Sequence, residues 1–135
     1  MRKRKKALLR SGAAALEFAL VAPIFFLMIF GLIEIGRMMM VQQSLTNAAR
    51  EGCRSAVLAT STNSSDVEAV VRNYLKSIMN VDHVRITSPS DLANADSGSE
   101  LSVVVEVTYR DVSWLPWDIL GLNPAMRAEQ IGRRE

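Results

Sequence analysis

The apolar residues of the chain are concentrated in one long run near the N-terminus. From Ala13 to Ile33 the only charged side chain is Glu17. As an α-helix this run would span roughly 31 Å, close to the ~30 Å hydrocarbon core of a bilayer. It therefore predicts one membrane-spanning helix that is retained in the protein.

Two other interpretations fit the run less well. A secretory signal peptide has a shorter apolar core followed by an A-x-A-like cleavage site, and residues 31–37 (GLIEIGR) offer none. A buried helix of a soluble protein would need a domain large enough to cover an all-round apolar helix of this length. The remaining residues form only one small domain.

Beyond the apolar run the helical pattern continues to Ala59. Small or apolar residues fall on one stripe, and three of them, Ala48, Gly52 and Ala56, are four residues apart. This spacing lets another backbone approach closely, so we predict a packing face against a sheet or a neighbouring subunit. The alternative is an ordinary alanine-rich helix.

The C-terminal part changes from helical to alternating periodicity. The capping-box pair Ser65 and Glu68 predicts a second helix from Asp66 to about Met79–Asn80. Alternation then predicts three strands: Val81–Ser88, Leu101–Tyr109 and a short one at Ala125–Ile131. The expected fold is α+β, with a long N-terminal transmembrane helix that continues into a small domain in which a second helix packs on a small antiparallel sheet.

This pattern divides the chain into four parts. We predict a basic cytoplasmic leader, a transmembrane helix, a periplasmic continuation of that helix, and a periplasmic α/β domain. They cover residues 1–12, 13–36, 37–59 and 60–135.

Charge is distributed unevenly along the chain. Six of the 16 basic residues lie within the first ten positions, which leaves ten basic against 14 acidic residues and a net charge of −4 elsewhere. Because the basic pI comes from this cluster, it does not predict nucleic-acid binding. Basic residues that flank a span favour the cytoplasmic side, so we expect the N-terminus in the cytoplasm and the C-terminal domain in the periplasm.

No residue pattern predicts catalysis or a cofactor. Cys53 is the single cysteine and His83 the single histidine, so a disulfide framework and a cysteine-rich metal site are excluded. Their spacing alone leaves a Cys53–His83 nucleophile pair open, but nothing else in the sequence supports one. Cys53 would either pair with another chain or be buried as a small apolar side chain, and its small neighbours favour burial. Trp114 and Trp117 would be core residues or a partner contact.

Pro23 interrupts the hydrogen bonding of the predicted span. It cannot donate to the carbonyl of Ala19, so we expect a kink or a loosened turn. One interpretation is that membrane helices simply tolerate proline, and the alternative is that Pro23 marks a weak point that melts on assembly.

Glu17 is a carboxylate at the head of the membrane run. Such residues are costly in hydrocarbon and are default candidates for function. If the chain were cut between Gly12 and Ala13, a new α-ammonium would lie one helical turn away, about 6 Å along the axis. Glu17 would then pair with that amine of its own or of a neighbouring chain. The alternative is an interfacial position near the head groups.

The order of basic leader, Gly12, small residues, Glu17 and apolar run resembles the class III signal of type IV prepilins and pseudopilins. This resemblance implies cleavage after Gly12 by a prepilin peptidase, with Ala13 as the first mature residue. Glu17 would be the fifth mature residue, which helps to align subunits in that family. Phe18 stands where the related Flp pilins carry an aromatic residue.

Three longer stretches narrow the resemblance to the TadE-like family, the pseudopilins or minor pilins of the Tad (Flp) pilus. They are residues 12–23 (GAAALEFALVAP), 31–37 (GLIEIGR) and 45–54 (LTNAAREGCR), and residues 125–129 (AMRAE) resemble the family's closing strand. TadF-like proteins share the N-terminal pattern. Cys53 departs from the TadE-like pattern, since a small residue such as alanine is expected at this position.

The resemblance implies a bacterial inner-membrane protein without enzymatic activity that takes part in pilus assembly and adherence. Its partners would be the prepilin peptidase, other Tad pilins or pseudopilins, and the assembly platform. The alternative is a signal-anchored periplasmic binding module that never enters a filament. An anchored enzyme has almost no support among the residues.

Overall fold

The computed structural model describes residues 2–58, 63–79, 83–89, 92, 94–113 and 125–134, with the backbone alone for residues 2–11. The described residues form two helices and one sheet, with a short 3-10 turn, Tyr109–Asp111, after the second strand. The predicted α+β class is confirmed. The elements are α1 (Arg2–Val57), α2 (Ser64–Ile78), β1 (Val84–Thr87), β2 (Glu100–Thr108) and β3 (Ala125–Arg133).

The chain divides into two compact units, Met1–Gly36 and Arg37–Glu135. In the first unit, long apolar side chains such as Leu16, Phe18 and Leu20 are about 70% exposed. A helix that is apolar all round and uncovered by protein suits a lipid environment. The long apolar α1 therefore fits a single-pass membrane protein.

The second unit has its core between the helices and one face of the sheet. The strand order is β1-β2-β3, and both pairs are antiparallel. In β2 the side chains alternate, and the inward set is at most 4% exposed: Leu101, Val103, Val105 and Val107. They pack in one core cluster with buried residues of α1 and α2, including Leu45 and Leu75.

The other face of the sheet carries charged and polar side chains. Arg127 lies 2.9 Å from Glu129 and 3.7 Å from Glu106, and the hydroxyl of Ser102 donates to Glu129 at 2.8 Å. Because these charged groups are at least one-third exposed to solvent, their ion pairs contribute little stability. Their main effect is to leave only the opposite face apolar enough to pack against helices.

The predicted start of α2 is wrong by two residues. The helix begins at Ser64, and the N-cap residue is Asn63, whose extended backbone (φ −129°, ψ 151°) carries no side-chain cap hydrogen bond. The Asp66 N–H donates to the Asn63 carbonyl at 3.2 Å and closes the first turn. Ser65 is therefore already helical and is not the cap.

The strands differ from prediction at their ends. β1 is shorter than predicted, whereas β3 continues to Arg133. Tyr109, predicted as the last residue of β2, lies in the 3-10 turn but remains buried at 2% exposure. The loop with Trp114 and Trp117 lies outside the described residues.

Candidate functional site

The predicted processing and assembly residues lie together near the start of the apolar part of α1. Gly12, Ala13, Glu17 and Phe18 are all helical and exposed. Ala13 and Glu17 are four positions apart, so they share one face of the helix, about 6 Å apart along its axis. A positive charge at residue 13 would thus lie one turn from the Glu17 carboxylate.

Gly12 has open surroundings. A Cβ built on this residue would meet no atom within 4 Å. Glycine at this site is therefore not required by packing inside the described chain. It does lower the local helix propensity, by about 1 kcal/mol relative to alanine.

Pro23 lies inside α1, which continues as helix on both sides of it. The expected kink and the expected melting on assembly stay predictions.

The small residues of the predicted packing face lie in the core of the second unit. Ala48 and Ala56 are fully buried. A Cβ built on Gly52 would lie 2.5 Å from Cγ2 of Val71 in α2 and 3.2 Å from Cγ1 of Val103 in β2. The structure therefore places this face against a helix and the sheet of its own chain.

Cys53 lies beside a second close approach between α1 and the sheet. Its side chain is 5% exposed. A Cβ on Gly132 of β3 would lie 2.6 Å from the Cys53 Sγ and 2.8 Å from Val57 Cγ2. Burial raises the pKa of the Cys53 thiol, because the thiolate would lose its hydration. The structure thus holds Cys53 as a neutral, buried thiol.

The buried thiol predicts a stability loss at alkaline pH. Since the folded pKa of Cys53 is raised above its ordinary value of 9.0, the unfolded state ionises first. The contribution of the neutral thiol to the free energy of unfolding is complete below about pH 9. This contribution is lost as the pH rises toward the pKa of Cys53 in the folded state. Melting temperatures measured from pH 7.5 to pH 10.5 should fall less steeply for Cys53→Ala than for the wild type. Parallel slopes would contradict this prediction.

The structure does not bring Cys53 and His83 together. His83 lines a shallow surface cavity with Ala125 at the start of β3, whereas Cys53 contacts Gly132 near its end. Seven residues of strand separate these positions, which corresponds to roughly 23 Å. The two side chains therefore do not form a nucleophile pair.

Three polar contacts that the sequence did not predict join α1 to the rest of the second unit. Arg37 Nε donates to the Val112 carbonyl, Gln42 Nε2 donates to the Arg127 carbonyl at 2.9 Å, and Arg134 Nη1 donates to the Ala56 carbonyl at 3.3 Å. Each acceptor is a main-chain oxygen, which every residue possesses. The spacing of side chains along the sequence therefore does not predict which carbonyl each of these donors contacts.

One comparison with known proteins bears on the N-terminal region. Residues 12–54 match the family of TadE-like proteins. The match contains Gly12, Glu17 and two of the three small packing residues, Ala48 and Gly52, and it confirms the predicted resemblance over this stretch. No curated protein and no solved structure matches the chain.

Proposed function

We propose, on the premise that residues 12–54 are TadE-like, that the protein is a minor pilin or pseudopilin of a bacterial Tad (Flp) pilus. The observation that carries the proposal is this match, since it includes both the processing motif at Gly12 and the carboxylate at Glu17. The Tad pilus supplies its partners: a prepilin peptidase, related pilins and the assembly platform.

Processing would occur at the cytoplasmic end of α1. The basic residues before Gly12 hold this end in the cytoplasm. There the peptidase would open the helix locally at Gly12, where helix propensity is lowest, and hydrolyse the bond to Ala13. The products are a short basic peptide and a mature chain that begins with the α-ammonium of Ala13.

The new amine would complete the site around Glu17. A carboxylate near hydrocarbon is stabilised by a positively charged partner. Attraction between opposite charges is strong in a medium of low dielectric constant, and it offsets the cost of removing them from water. Glu17 of an incoming subunit would pair with the Ala13 amine of a neighbour or of its own chain. Subunits would then stack with a defined register along their exposed apolar helices.

The folded unit Arg37–Glu135 would lie in the periplasm and contact related subunits. It would contribute to initiation of the pilus or to its tip, and so to surface attachment. The polar outer face of the sheet, with Arg127 and Glu129 exposed, supplies directional groups for such contacts.

The test is the mature N-terminus. After co-expression with a Tad prepilin peptidase, intact-mass spectrometry should find a chain that begins at Ala13. Gly12→Ala should abolish cleavage, because the peptidase would select glycine at this position. Folding of the described chain should not change, since a Cβ at residue 12 has open space.

Gly31→Ala is the matched control. It makes the same substitution in the same helix, also with no atom within 4 Å of the added Cβ, and should leave cleavage complete. Recovery of a wild-type chain that still begins at Met1 would overturn the proposal. The same result would favour a signal-anchored binding module that never enters a filament.

A further inference from the structure

The last strand, β3, lies at an edge of the sheet. Among the described strands it pairs with β2 alone, along one side. It is nine residues long and contains no proline, whereas β1 at the opposite edge has four residues. Edge strands expose unpaired N–H and C=O groups, which short strands and prolines commonly protect. Because β3 has neither protection, its open side can pair with a further strand.

Two hydrogen bonds show which residues of β3 face the open side. The Arg134 N–H donates to the Ser99 carbonyl, just before β2, at 3.0 Å, so the even-numbered residues bond toward β2. The Arg127 carbonyl instead accepts the Gln42 side chain at 2.9 Å. Since the direction of hydrogen bonding alternates along a strand, the odd-numbered residues point their main-chain groups away from β2.

Three odd-numbered residues, Glu129, Ile131 and Arg133, leave most of these groups unbonded. Within the part of the chain that the structure describes, no group accepts a hydrogen bond from their outward N–H groups. Among their carbonyls, that of Ile131 accepts the exposed Gln130 side chain at 3.2 Å. This long, exposed hydrogen bond can give way to a main-chain donor.

The side chains of the same three residues lie on the outer face of the sheet. Ile131 is 57% exposed and lies between the charged Glu129 and Arg133. These two residues have ion-pair partners on the sheet at 2.9 Å and 3.6 Å, but their side chains remain 43% and 76% exposed. Opposite charges that face each other across strands are stabilising, and like charges are destabilising. A further strand therefore fits best with a base opposite Glu129, an apolar residue opposite Ile131 and an acid opposite Arg133.

The flank of α1 beside this edge leaves room for a strand without a helix of its own. Gln42, which bonds to the Arg127 carbonyl, also lines a shallow depression of about 560 Å³ on α1, together with Thr46 and Arg50. An added strand would place alternate side chains over this depression. A second copy that paired through its own β3 would bring its α1 along the same seam, where the two helices would compete for this space.

We propose that the open edge of β3 binds an extended segment of a partner chain as an antiparallel fourth strand. The segment carries the pattern acid-x-apolar-x-base, with its acid opposite Arg133 and its base opposite Glu129. Antiparallel pairing is slightly more stable per residue than parallel pairing. Two main-chain hydrogen bonds at each of the three outward residues supply affinity, and the side-chain pattern supplies specificity.

The probe is a fluorescent peptide with the sequence of residues 127–133 (RAEQIGR), which contains this pattern. Added to full-length protein in detergent micelles, it should show saturable binding by fluorescence anisotropy. Exchange of the Glu129, Ile131 and Arg133 amides, followed by NMR, should slow at least about tenfold in the complex. The control peptide exchanges the glutamate and the last arginine. It should bind at least about tenfold more weakly, because like charges would face each other.

Two substitutions at one position separate edge pairing from folding. Ile131→Pro removes a donor that points to the open side, and an edge strand tolerates proline at such a position. It should lower peptide affinity at least about tenfold relative to Ile131→Ala, which keeps the N–H. Equal exchange of the β2 amides in both variants checks that the sheet is intact.

A charge reversal tests the pattern without changing the main chain. Glu129→Arg combined with Arg133→Glu should reverse the preference between the two peptides. The proposal goes beyond the pilus function and does not depend on it. Its test uses neither a peptidase nor a partner pilin, so either proposal can fail alone.

Three results would overturn the proposal. The first is no binding of the probe peptide to the wild type up to about 1 mM, or equal binding of both peptides. The second is equal peptide affinity of folded Ile131→Pro and Ile131→Ala. The third is protection of the three outward amides in peptide-free protein. Such protection would depend on protein concentration if a second copy occupied the edge, and would not depend on it if another part of the chain did.

Discussion

Replacing Glu17 with alanine is expected to leave membrane insertion intact and to impair co-assembly with partner pilins. Removal of a carboxylate from the apolar run makes insertion at least as favourable. It also leaves the Ala13 amine of the processed chain without its proposed partner. The loss of a charge pair in a medium of low dielectric constant should reduce co-assembly by at least about tenfold.

The measurement is the amount of variant that co-purifies with partner pilins, together with the amount of pilus sheared from cells. Leu20→Ala is the matched control, because Leu20 is 70% exposed on the same stretch of helix and carries no charge. Glu17→Gln separates charge from side-chain size and should behave like Glu17→Ala. Undiminished piliation in a strain that carries only Glu17→Ala would contradict the pairing role and favour an interfacial position for Glu17.

Replacing Gly52 with leucine is expected to destabilise the core of the second unit strongly. Even a Cβ at this site would lie 2.5 Å from Val71 Cγ2, and leucine adds three more carbon atoms toward α2 and β2. Overpacking of this kind costs about 3 kcal/mol, a large part of the roughly 5–15 kcal/mol that stabilises a domain. The free energy of unfolding should fall by that amount.

Hydrogen exchange of the β2 amides in detergent-solubilised, full-length protein measures this loss, and it should accelerate about a hundredfold. Asn47→Leu places the same side chain on the exposed side of α1 and should leave exchange unchanged or slower, since leucine favours helix more than asparagine does. Adding Val71→Ala to Gly52→Leu should recover part of the stability, because the two side chains compete for one volume. Equal exchange in Gly52→Leu and wild type would show that α1 shifts to accommodate the side chain.

Periodicity was sufficient to predict the classes of element in this chain. The apolar run and the stripe that follows it predict one long helix, and α1 extends through both. Strict alternation in β2 predicts the strand and its buried side, because the two faces of a sheet meet different solvents. The TadE-like resemblance rests on local sequence in the same region.

The exact ends of the elements were less predictable. Ser65 and Glu68 have the composition of a capping box, yet the backbone enters α2 through Asn63. A cap depends on how the preceding loop approaches the helix, and the side-chain pattern does not specify that approach.

The sequence by itself determined that one apolar helix long enough to cross a membrane precedes a small α+β domain, and that a carboxylate lies at the head of this helix. It does so because solvent preference and helical or strand periodicity are properties of neighbouring residues. Only the tertiary structure decided that α1 packs closely against its neighbours at Gly52 and Gly132. It alone also placed Gln42 beside the outward carbonyl of Arg127. Residues 42 and 127 are far apart in the chain, and their proximity depends on how helices and sheet pack, which no local pattern records.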